Sequence, residues 1–321
     1  MGSASYRAFG TGYGLVMYRE DAADRLRSAD AVILDLDGTL VDVRNSYLKA
    51  AVESARILAA LRGLGLKRAS ELWRLIPPLK EAGFLSNDWD TATSLYVVLL
   101  REAREGAEPL GLARELASGG PEGLRSIVRS LDDEFLRGCP GSPPTCAVSS
   151  LFDSLYYGGP IYREIYGEDP PLPLSRGLWE YESPVVEPED LRVIGSLVPR
   201  GAAILTGRPR RAMREHIKRI IAGSVGEGRV FVTGEMGTSK PDPRPLLELA
   251  RSLGSSSPVY VGDSPEDLLM AEASRDAGLD VAFVGVYGAS PDPSWSIEWF
   301  SSRGAHALVP SPRPLQLLLR P

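Results

Sequence analysis

The chain predicts an α/β protein: a Rossmann-like parallel sheet with helices on both faces and an inserted, mainly helical second domain. Two observations lead there. After about residue 185, short apolar runs closed by glycine or aspartate alternate with helical segments, the pattern of a parallel sheet covered on both sides. Between residues 44 and 184, apolar residues recur at helical spacing without a comparable strand signal.

The elements follow in order. AVILDLDGTLVD, residues 31–42, opens with an apolar run that reads as a strand. An isolated buried strand could not satisfy its backbone hydrogen bonds, so it is expected in the same sheet as the later strands. NSYLKAAVESARILAALRGLG, TATSLYVVLLREAREG and EGLRSIVRSLDDEFLRG predict helices of the insertion. From GCPGSPPTC to EDPPLPLSRG the insertion is less regular and holds Tyr156, Tyr157, Tyr162, Tyr166 and Trp179, read as packing. Strands are then expected at GAAILTG (201–207), RVFVTG (229–234), PVYVGD (258–263) and DVAFVGVYG (280–288). Between them PRRAMREHIKRII, PRPLLELARSLG and PEDLLMAEASRDAG predict helices, the last two starting at proline and ending at glycine. The expected domains are 1–43 with 185–321 as the core and 44–184 as the insertion, hinged near Asp42, Val43 and EYESPVVEP.

Composition narrows the function. With 321 residues, of which 43% are apolar, the chain can bury a sizeable core. Its 36 basic and 42 acidic residues, without a long basic run, give no electrostatic reason to expect nucleic acid or an anionic membrane as partner. No membrane span or secretory signal is visible, and a cytoplasmic protein is expected. Cys139 and Cys146 are the only cysteines and His216 and His306 the only histidines, too few for a usual zinc site. Two small loop residues and a local disulfide are both open readings of the cysteine pair. GTGYG at 10–14 has glycine-rich spacing, but no strand is predicted before it and no helix after it, which argues against nucleotide binding.

Ligands of open α/β sheets bind beyond the carboxyl ends of the strands, where this sequence places Asp35, Asp37, Thr206 and Asp263. Residues 35 and 37 point to the same side of an extended chain. Two converging carboxylates need a cation or a proton to offset their repulsion. A magnesium ion would answer that need, and the pair would then serve that ion and a phosphate.

The segments DLDGT, ILTG, SKPDP and VGDSPED, in this order and with a helical insertion after the first, resemble the four motifs of the haloacid dehalogenase superfamily. They are most similar to those of its phosphatases with an α-helical cap, of the phosphoglycolate-phosphatase-like kind. The resemblance covers residues of about 25–43 and 185–310. It implies that Asp35 attacks phosphorus to form an aspartyl phosphate. Asp37 would protonate the leaving alcohol and later activate water, chemistry that suits two carboxyl groups two residues apart.

By the same resemblance Thr206 would bond a phosphate oxygen and Lys240 would neutralise phosphate and nucleophile. Gly38, Thr39, Gly207 and Arg208 would line the phosphate. Asp35, Asp37 through its carbonyl, Asp263 and Asp267 would hold Mg2+, a hard ion that takes oxygen ligands. Ser264 with Asp267 also fits a capping box, and Glu266 is an alternative member of the acidic cluster. In the insertion, Asn87 and Trp89 are candidate substrate contacts, beside the plainer reading of a helix capped by Asp88 or Asp90 and a buried tryptophan. The insertion is expected to act as a lid.

An aspartate at position 37 favours phosphoryl transfer over dehalogenation in family terms. The expected activity is a magnesium-dependent phosphatase acting on a small phosphorylated metabolite. The alternatives are a phosphomutase and a non-catalytic binding protein on this fold.

Overall fold

The computed structural model describes residues 5–64, 69–83, 85 and 87–320. The chain forms two compact units, residues 1–42 with 183–321, and residues 43–182.

The first unit is built on an eight-stranded sheet. Its strands are β1 (Tyr6–Thr11), β2 (Gly14–Arg19), β3 (Ala31–Leu34), β6 (Ala202–Thr206), β7 (Val230–Val232), β8 (Pro258–Gly262), β9 (Ala282–Val286) and β10 (Ala307–Val309). The order is β1-β2-β10-β9-β8-β3-β6-β7. From β10 to β7 every pairing is parallel, whereas β2 joins β10, and β1 joins β2, antiparallel. A separate ribbon pairs β4 (Val41–Asp42) with β5 (Ser183–Pro184), bringing together the two ends of the first unit's chain segments.

The strands β3, β6, β8 and β9 are buried along their whole length, as continuous apolar runs covered on both faces require. One face packs Ile33, Leu205, Tyr260, Phe283, Phe300 and Leu308 into a single cluster. Each such side chain contributes about 1.5–3 kcal/mol by leaving water. Helices Arg244–Leu253 and Pro265–Asp276 start as proline at N1 or N2 predicts, and the first ends at Gly254 with φ 64°.

Three local expectations are corrected. A strand does precede GTGYG: β1 and β2 form a hairpin whose two-residue loop is Gly12-Tyr13, so the glycines there serve a turn. PRRAMREHIKRII is not one helix, because a 3-10 turn at Arg210–Ala212 precedes the helix Glu215–Gly223. The Ala212 carbonyl accepts from Arg208 Nη1 at 3.1 Å, so that turn is tied to a side chain. The later half of the insertion is more regular than expected, with helices Ala147–Tyr157 and Gly159–Tyr166.

The second unit packs helices Tyr47–Leu61, Asp88–Glu105, Pro109–Ser130, which breaks at Gly120, and Ala147–Tyr157. Cys139 and Cys146 are joined as a disulfide that closes the turn before Ala147–Tyr157. No helix among the described residues is long and apolar enough to cross a membrane.

Candidate active site

The chain leaves β3 toward β6 and β7, then crosses back to β8 on the other side of β3 and continues to β9. Strands β3 and β8 therefore flank the point where the direction of winding reverses, the position at which a crevice opens at carboxyl ends. Asp35 directly follows β3 and Asp263 directly follows β8. The Asp35 amide still bonds the Val261 carbonyl at 2.8 Å, so the sheet register fixes these two residues side by side. Gly38 makes the turn with φ 73°, and a Cβ there would overlap the Asp263 carboxylate. Only glycine lets the backbone pass that closely.

Lys240 reaches in from the loop before Arg244–Leu253. Its Nζ lies 2.6 Å from Asp35 Oδ1 and 2.6 Å from Asp267 Oδ1. Asp267 is fully buried and its two oxygens accept four contacts. Oδ1 takes Lys240 and the Tyr260 hydroxyl at 2.5 Å, while Oδ2 takes Ser264 N at 3.1 Å and Ser264 Oγ at 2.8 Å. The capping box is thus present, and the same carboxylate anchors Lys240. A Cβ on Gly262 would collide with it. In the sequence Tyr260 shows one signal, a hydroxyl in an otherwise apolar strand, which must find a partner once buried.

Burial pushes the Asp35 carboxyl up to about 7, against the pull of the Lys240 ammonium and with Asp267 and Asp37 adding to the rise. Lys240 is held well above its ordinary value: burial opposes its charge, but Asp267 and Asp35 outweigh that. Asp267 stays below the usual carboxylate range despite burial because Lys240, Tyr260 and Ser264 all donate to it.

Asp37 and Arg208, 171 residues apart, form a fork. Arg208 Nε donates to Asp37 Oδ1 at 2.9 Å and Oδ2 at 3.1 Å, and Nη2 lies 2.7 Å from Oδ1. Arg208 was expected to face phosphate; it is 5% exposed and grips Asp37. Its amide donates to Thr206 Oγ1 at 3.0 Å, so that oxygen is an acceptor there and its own proton can serve another acceptor. Gly207 between them is exposed. Thr39 is fully buried and its hydroxyl has no hydrogen-bond partner among the described residues.

Asp35, Asp263 and Asp267 offer carboxylate oxygens that all lie within 4.8 Å of one another. An all-oxygen donor set suits a hard divalent cation. Glu266 is buried beside them in sequence but is not in that trio, and its Oε1 is unbonded among the described residues. Asn87 and Trp89 belong to the second unit. Asn87, rather than Asp88 or Asp90, is the N-cap, accepting from the Trp89 amide at 2.9 Å. Trp89 Nε1 donates to the buried Asp153 at 2.9 Å, and Tyr166 donates to the same carboxylate. Part of the segment before them, Phe84 and Ser86, lies outside the described residues.

No family model matches the chain. Among solved structures it is similar to phosphatase Tt82 from Thermococcus thioreducens, with 27% identity and a TM-score of 0.53, over 86% of this chain and 100% of that one. It also superposes on a protein from Lactobacillus delbrueckii subsp. bulgaricus assigned as a phosphoglycolate phosphatase, with 16% identity and a TM-score of 0.50, over 92% and 99% of the two chains. Among curated proteins it is 24% identical over 250 residues to an imidazoleglycerol-phosphate dehydratase from Phytophthora nicotianae. That stretch is 77% of this chain, which spans 41% of that relative's length.

Fold and site define a doubly wound α/β protein with a lysine-bridged acidic centre at the switch point of its sheet. Its fold is the phosphatase-like fold of the haloacid dehalogenase superfamily.

Proposed function

We propose that the chain is a phosphoric monoester hydrolase that cleaves a small phosphorylated metabolite through an aspartyl phosphate at Asp35. The observation that carries this reading is Lys240 bonded to Asp35 beside Asp37 at the sheet's switch point. The fold likeness to phosphatase Tt82 supports it.

In this mechanism Asp35 attacks phosphorus and the bond to the ester oxygen breaks, while Asp37 gives that oxygen a proton and the alcohol leaves. Water then attacks the phosphoryl group, gives its proton to Asp37, and phosphate departs with Asp35 restored. Lys240 holds Asp35 Oδ1, which directs attack to Oδ2, and its charge offsets that gathering on the transferred group. Thr206 donates its hydroxyl to a phosphate oxygen, and Gly38 and Gly207 allow close backbone approach. Asp35 and Asp263, with the Asp37 carbonyl, would hold Mg2+, and Asp267 would act beside them by fixing Lys240. The ion, when bound, neutralises phosphate charge and orients the group.

The test is phosphate release from a panel of phosphorylated metabolites and p-nitrophenyl phosphate, with magnesium and with EDTA, for wild type and Asp35→Asn. Release is expected only with magnesium and wild-type protein. Undiminished turnover by a folded Asp35→Asn protein would reject the mechanism.

A further inference from the structure

We propose that Arg208 is a positioning residue for Asp37: it fixes which oxygen of that carboxyl group exchanges the proton, and does not itself bind the phosphate. The inference rests on the phosphatase reading above.

The guanidinium is held at both ends. Nη1 donates to the Ala212 carbonyl at 3.1 Å, and the opposite edge, Nε with Nη2, faces Asp37. Its backbone is held as well, through the bond from its amide to Thr206 Oγ1. A buried arginine so placed has little freedom to turn elsewhere, because its planar fork makes one bidentate geometry.

The grip is uneven. Both shorter contacts, 2.9 Å from Nε and 2.7 Å from Nη2, end on Oδ1, whereas among the described residues Oδ2 receives one contact, of 3.1 Å from Nε. An oxygen that accepts two strong bonds from a cation is a poor place for a proton. Oδ2 is then the atom that carries the proton to the leaving oxygen and takes one from water, while Oδ1 stays an acceptor for Arg208 throughout. Such aim matters because proton transfer needs the carboxyl oxygen within hydrogen-bond reach of the departing one.

The distinguishing readout is dependence on the leaving group. Departure of p-nitrophenolate needs no proton, whereas an alkoxide from glycerol 2-phosphate does. In Arg208→Met and Arg208→Lys, kcat/KM is expected to fall by roughly 100-fold for glycerol 2-phosphate, within the range a positioned acid supplies, and by only about 3-fold or less for p-nitrophenyl phosphate. Lysine keeps the charge but not the fork, so it tests geometry while remaining the gentler substitution; melting curves check that each variant is folded. In an Asp37→Asn background, Arg208→Met should cost little more, since both changes remove one function.

An equal loss on both substrates with raised KM, additive to Asp37→Asn, would overturn the proposal and make Arg208 a phosphate ligand. Wild-type inactivity on both esters would instead reject the phosphatase reading and, with it, this one.

Discussion

Lys240 Nζ lies 2.6 Å from Asp35 Oδ1 and carries the charge that lets this buried carboxylate coexist with buried Asp267. Removing the ammonium leaves two buried acids facing each other. Loss of one partner from a buried ion pair costs about 3–5 kcal/mol. Lys240→Met is therefore expected to lose about that much in urea unfolding, together with at least about 100-fold in turnover. Tyr260→Phe removes one of the donors to Asp267 while keeping the ring's packing against Phe283. It should cost about 1–2 kcal/mol with a much smaller effect on turnover. A Lys240→Met protein as stable as wild type would contradict the assigned charge balance.

His306 predicts an acid sensitivity remote from this chemistry in sequence. Its Nδ1 accepts from the Phe283 amide at 3.1 Å. Burial, helped by Arg275, Arg25 and Arg19, pushes its pKa from 6.5 to about 3. The native protein thus keeps His306 neutral where the unfolded chain protonates it. Its stability contribution is full above pH 6.5 and is lost as pH falls from there toward 3, by about 1.4 kcal/mol per pH unit. His306→Gln retains an acceptor without that titration. The stability advantage of wild type over the variant, measured by urea unfolding between pH 7 and 4, should shrink by that slope; a constant difference would refute the assignment.

The Cys139–Cys146 bond closes a short loop, seven positions apart in sequence, at the start of helix Ala147–Tyr157. Loop-closure entropy for about eight residues gives a stabilisation of about 2.5 kcal/mol. Reduction by dithiothreitol, or replacement of both cysteines by serine, should lower the melting temperature by roughly 3–5 °C. Mass spectrometry of the alkylated protein confirms which state is being melted. Unchanged melting after complete reduction would show that packing alone holds this turn.

The sequence legibly carried what local chemistry controls. Buried apolar runs ending in AspLeuAsp or GlyAsp mark strands of a covered parallel sheet, because every residue of such a strand must be apolar on both faces. Helix ends were legible where proline and glycine restrict the backbone. The β1–β2 hairpin is not legible because its strands are half exposed and alternate weakly, and the pairing of β2 with β10 depends on a partner some 290 residues away. The cap at Asn87 is not legible because two aspartates follow it and any of the three can accept from a helix amide.

The sequence by itself determined the kinds of group available: carboxylates at 35, 37, 263 and 267, an ammonium at 240, a guanidinium at 208. Tertiary structure alone decided their partners. It set Lys240 between Asp35 and Asp267, put the Tyr260 hydroxyl on Asp267, and turned Arg208 onto Asp37. The physical reason is that charge pairing and burial depend on distance through space, and the register of β3 with β6 and β8 brings together side chains that no local pattern links.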